Sequence, residues 1–184
     1  MAAHEAVAQA DSVSGSVQRV NARLDSLERV ALANRSFEQR LSATVGIASP
    51  GGLWFVAHPG SETPPPEIRY SGIVERLVRI YRRSEYSVRN AIISLMIHQA
   101  ERAKAVAFLA EVAQEPAPPP VAGVAIVDDT WPLPYNAIMR LTHMGPEGRA
   151  TLQRLQAQGT VREPMARAEL EELARRGFRK AGGS

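Results

Sequence analysis

The chain has 184 residues, 45% of them hydrophobic and only 5% aromatic, with a formal net charge of +3. That length supports one domain with a core, and so small a charge argues against a dedicated DNA binder. There is no cysteine, which excludes disulfides and thiolate metal sites.

No run approaches the roughly 20 apolar residues of a membrane span. Residues 1–15 lack the basic start and apolar stretch of a signal peptide. The default expectation is a cytoplasmic protein, with an exported form whose leader has been removed as the alternative. Ala, Leu and Val are plentiful while aromatics are scarce, a mix that suits close-packed helices better than sheets.

Residues 1–15 are small and polar and read as a flexible N-terminal segment, with Gly15 as a breaker. Ser16 then caps a first helix through Val17, Val20, Leu24, Leu27 and Val30, which step by three or four as one helix face requires. Asn34 ends it. Phe37, Leu41, Thr44 and Val45 define a second helix, stopped by Ser49-Pro50-Gly51-Gly52.

A Pro-rich insertion over 48–70 follows, holding the apolar cluster Leu53-Trp54-Phe55-Val56 and the run Pro64-Pro65-Pro66. Its prolines forbid a helix there. Ser71 is placed to cap a third helix with Ile73, Val74, Leu77, Val78, Ile80 and Tyr81 on one face. A fourth carries Val88, Ala91, Ile92, Leu95 and Met96. A fifth runs from about Glu101 to Pro116.

The second insertion, 115–133, contains Pro118-Pro119-Pro120 and the extended segment Val124–Val127. Leu133-Pro134 opens a sixth helix, since Pro is tolerated in a first turn. Pro146 opens a seventh that Gly159 stops. Pro164 opens an eighth that closes near Gly177, and residues 179–184 form a tail.

One pattern recurs. Val88-Arg89-Asn90-Ala91-Ile92-Ile93-Ser94-Leu95 aligns with Pro134-Tyr135-Asn136-Ala137-Ile138-Met139-Arg140-Leu141 at a constant offset (134 − 88 = 46), with Asn, Ala, Ile and Leu coincident. Each copy follows an amphipathic run. A recurring helical hairpin is the signature of stacked pairs, because one pair cannot hide its apolar face from water and its neighbours can.

These strings resemble the HEAT-repeat family, in its short bacterial HEAT-like form. Gly72–Tyr81 looks like a first helix and Ser87–Leu95, with its Val-Arg pair followed by Ala and Leu, like a second. Phe108–Ala113 looks like another first helix, with Asn136–Leu141 as its delayed partner. Leu27 falls opposite Leu77, and Val30 opposite Ile80, at an offset of 50 (77 − 27 and 80 − 30). Tyr135 stands where the family prefers Arg, and Glu38 departs from another motif position.

The resemblance implies an all-α fold, an α-α superhelix of about four stacked hairpins over 16–178 with two long Pro-rich insertions. A plain irregular helical bundle is the alternative. It also implies a scaffold or complex subunit that binds another protein without catalysis.

Candidate chemistry is thin. His4, His58, His98 and His143 do not sit at helical zinc spacing, and positions near helix ends account for His98 and His143. Asp128-Asp129 is an adjacent acidic pair in a loop, read as solvated or as capping a helix start rather than holding a cation or a general base. No nucleophile elbow or phosphate loop is present, so neither cofactor nor metal is expected. A HEAT-like lyase has only Asp128, Asp129 and His143 to recommend it.

Arg76, Arg79, Arg82 and Arg83 make a basic helix face with Arg69 and Arg89 nearby, and Arg76, Arg79 and Arg83 are the basis for a nucleic-acid-binding alternative. Interspersed Glu75 and Glu85 fit an ordinary solvated face equally. The insertions carry Trp54, Phe55 and Trp131, with Tyr135 beside the last. Large aromatics dominate binding hot spots. The competing role for each Trp is to cover core. Regular stacking would put the two insertions on opposite edges and deny them a joint site.

Overall fold

The computed structural model describes residues 2–49, 52–53, 70, 72–116 and 131–178, with the backbone alone for 2–16. Among these residues every regular element is helical. Eight α-helices lie among the described residues: α1 (Ala2–Leu32), α2 (Phe37–Ala48), α3 (Ile73–Tyr81), α4 (Tyr86–Leu95), α5 (Arg102–Val112), α6 (Leu133–Thr142), α7 (Gly145–Gln158) and α8 (Pro164–Arg175). Residues 52–53 are helical too, ahead of the prolines at 64–66 and against the expectation that this insertion excludes a helix. One 3-10 turn, Met96–His98, follows α4. The fold is all-α. No helix described is long and apolar enough to cross a membrane.

The chain divides into two compact units, 1–88 and 89–184, and the division falls inside α4. In the first unit α1 packs on α2 and α3, and α2 packs on α3. Val20 and Leu24 of α1, Thr44 of α2, and Ile73, Val74, Leu77 and Ile80 of α3 are buried there as the periodicity predicts, and so are Ala31 and Ile47, whereas Val17, Phe37 and Val45, expected on the same apolar faces, are exposed. Ser36 caps α2, its hydroxyl accepting from the Gln39 N–H at 3.3 Å.

Two starts differ from the sequence expectation. α1 begins at Ala2, not at Ser16, and runs through Gly15. A single glycine costs a helix only about 1 kcal/mol relative to alanine, and an Ala-rich run precedes it. The residue before α3 is Gly72, at φ 80°, a left-handed conformation that suits glycine and supplies no side-chain cap. The expected cap, Ser71, lies outside the described residues.

In the second unit α5 packs on α6 and α7, α6 on α7 and α8, and α7 on α8. Ala105, Leu109, Ala137, Ile138, Leu141, Leu152, Leu155, Leu170 and Leu173 form its core. The bend between α6 and α7 is tight. A Cβ built on Gly148 would stand 2.1 Å from the Leu141 carbonyl oxygen and 2.7 Å from the Met144 Cβ, so only hydrogen fits. α8 opens at Pro164, as expected, but its cap is Glu163. That buried carboxylate accepts from the backbone N–H groups of Met165 (3.1 Å) and Ala166 (2.6 Å).

Candidate interaction site

The N-terminal turn of α6 gathers the most distinctive surface in the second unit. Pro132 precedes the helix in extended backbone (φ −50°, ψ 136°). That turn folds Trp131 back over Tyr135, and the two rings stack with centroids 4.8 Å apart and planes 20° from parallel. Trp131 nevertheless remains 43% exposed. An offset stack of this kind favours this pose by about 0.5–1.5 kcal/mol.

Beneath the stack lies a polar seam. The Asn136 amide nitrogen donates to the Trp131 carbonyl at 3.2 Å and to Asn90 Oδ1 at 2.7 Å. One turn along, the Arg140 guanidinium donates to Ser94 Oγ at 3.0 Å. Both cross-helix bonds join residues 46 positions apart. The repeated block therefore meets its own copy rung for rung, position 90 on 136 and 94 on 140. The Tyr135 hydroxyl is held above the ordinary phenol value, first by burial and then by the negative charge of Glu169. It stays a protonated donor at neutral pH.

The basic face is differently employed. Arg76 reaches Glu28 at 2.6 Å and Asp25 at 2.7 Å. Arg79 grips the same Glu28 with two nitrogens, at 2.7 and 3.0 Å. The Arg79 hydrogen bond, with help from Arg76 and against an opposing effect of burial, holds the Glu28 carboxyl below its usual range. Two of the three candidate phosphate-binding arginines thus tie α3 to α1. Arg83 is exposed in the turn after α3.

Arg40 of α2 makes a similar tie. It pairs with Glu85, donates to Ser84 Oγ at 3.1 Å, and reaches the Ala31 carbonyl near the end of α1 at 3.0 Å. An open groove of about 570 Å³ runs between α1 and α2, with Leu27, Val30 and Gly46 along it and Arg23 and Arg35 at its rim.

Trp54, Phe55, His58, Asp128 and Asp129 lie outside the described residues, as does His4 for its side chain; Leu53, at the start of the apolar cluster, is buried. His98 and His143 are exposed at helix ends. The His143 carbonyl accepts a long 3.4 Å bond from Arg102. No group of three metal-ligating side chains occurs among the described residues.

The site residues that sequence reasoning passed over are Asn90, Ser94, Asn136 and Arg140. The signal was present, since the 46-residue offset marks Asn90 and Asn136 as equivalent. By itself that offset points to repeated architecture and not to contact. Comparison with protein-family models, with curated proteins and with solved structures returned no match.

Proposed function

We propose that this chain is a non-catalytic protein-interaction module built on HEAT-like stacked hairpins, and that the Trp131–Tyr135 stack is its contact point. The observation that carries the reading is the exposed Trp131, stacked on Tyr135 with its carbonyl bonded to Asn136. A pre-positioned aromatic with little freedom left to lose is what binding hot spots share.

Two further features support the stacked-hairpin part. In the second unit each helix packs on its next and next-but-one neighbours from α5 to α8. Equivalent positions of the repeat also bond across α4 and α6. A nucleic-acid role has less behind it, because Arg76 and Arg79 already answer carboxylates of α1.

Affinity capture from native cells with the wild-type chain, Trp131→Ala and Tyr135→Ala tests the reading. A protein retained by the wild type and lost from both variants is the expected result. Undiminished recovery by both variants overturns it.

A further inference from the structure

Resting on that reading, we propose that the Asn90–Asn136 rung binds the backbone of one extended residue in the partner, with Trp131 supporting the side chain next to it.

The argument counts hydrogen-bonding atoms. An asparagine side chain offers two N–H donors and one carbonyl acceptor. Asn136 spends both donors, one on the Trp131 carbonyl and one on Asn90 Oδ1. The Trp131 carbonyl can only accept, so Asn136 must turn its nitrogen there. Asn90 in turn must meet that nitrogen with oxygen, which fixes the orientation of both amides.

Two groups remain. Asn136 keeps a carbonyl oxygen and Asn90 keeps its NH2. Neither group has a partner among the described residues, and both residues are only half-buried. An acceptor and a donor therefore sit side by side, joined through a single 2.7 Å bond.

The complement of that pair is a donor and an acceptor from one small unit. In an extended chain a residue turns its own N–H and C=O to the same side. Its N–H would bond to Asn136 Oδ1 and its C=O would accept from Asn90 Nδ2. A helical residue has already spent both groups internally, so a partner helix lacks the complement. A polyanion is disfavoured too, because Glu169 lies close enough to act on Tyr135 and Arg140 is bonded to Ser94. The exposed ring of Trp131 then provides an apolar platform beside the read residue, and backbone bonds give affinity while the ring gives selectivity.

The test uses the full chain and a random-peptide library displayed on phage. Enriched peptides are synthesised and their affinities measured by calorimetry for the wild type, Asn90→Asp and Trp131→Ala. Asn90→Asp is nearly isosteric and keeps the oxygen that Asn136 needs, but it replaces the free donor with an acceptor.

The expected result is an enriched peptide that Asn90→Asp weakens about tenfold or more. Methylation of one backbone nitrogen in the peptide should weaken it similarly, while the variant's circular-dichroism melt stays that of the wild type. Should Asn90→Asp fail to fold, the N-methyl scan on the wild type decides alone. A peptide that needs Trp131 but ignores Asn90→Asp and every N-methylation overturns the backbone inference and leaves the interaction surface standing. Enrichment of no Trp131-dependent peptide overturns the inference as well, and affinity capture then judges the surface separately.

Discussion

The α1–α3 seam of the first unit and the α4–α6 seam of the second join helices by opposite chemistry. Across the first, two guanidiniums close on two carboxylates, and Glu28 uses both oxygens. Across the second, neutral groups meet. Asn136 bonds to Asn90, and the one charged member, Arg140, bonds to a serine hydroxyl. An ion-paired seam saturates its own groups and offers a partner little. An amide seam uses half of its capacity and leaves the rest facing outward. Helices joined by different chemistry thus leave a saturated surface in one place and spare hydrogen-bonding groups in another.

The largest expected effect comes from breaking the frame of the receptive side without touching its seam. Gly148→Ala forces a methyl group into the Leu141 carbonyl and the Met144 side chain, neither of which is the free end of a flexible chain. A cost of about 3 kcal/mol is expected from such overpacking. A thermal melt checks it. An unchanged melting temperature would mean that the α6–α7 bend relaxes easily and that Asn136 is not rigidly placed.

Next in size is the closed seam. Glu28→Gln removes the charge that holds Arg76 and Arg79, and Glu28 is only 13% exposed at its side chain. A loss of about 1–2 kcal/mol is expected, below the upper range for charged hydrogen bonds because Arg79 is half-exposed and screened. The pH dependence gives the comparison its edge. Glu28 has a folded-state pKa below the ordinary 4.5. Its contribution is therefore complete above about 4.5 and is lost as the pH falls through the folded value. The stability gap between wild type and Glu28→Gln should close on acidification. Arg140→Ala breaks the second seam, costs about 1 kcal/mol, and should show no such closing, since its bond is to the Ser94 hydroxyl and not to a carboxylate.

Much of this architecture is legible in the sequence because apolar periodicity is local. Val20, Leu24, Leu77, Ile80, Leu141 and Leu155 are buried where the helical step puts them. The start at Pro164 and the stop at Gly159 are equally local. What escaped the sequence reading is tertiary. Arg76 and Arg79 look like a free basic face within their own helix, because their carboxylates lie 48 and 51 residues away. Glu163 is not a common cap, and nothing before the fold shows its carboxylate turned onto the first turn of α8. Gly148 looks like any glycine at a junction until the Leu141 carbonyl is placed against it. The Asn pair was half-legible, since its spacing reveals equivalence while only the packing of α6 makes equivalence a bond.

The smallest expected effect on stability belongs to the residue proposed as the contact point. Trp131→Ala removes a large aromatic, and truncating a buried one typically costs about 3–5 kcal/mol. Here the residue is 43% exposed, and its stack on Tyr135 is worth about 0.5–1.5 kcal/mol. A loss of about 1 kcal/mol or less is therefore expected in denaturant unfolding, beside the loss of partner capture. A cost near 3 kcal/mol would place Trp131 with the core instead. The receptive seam would then be an ordinary closed one, and its spare amide groups would belong to water.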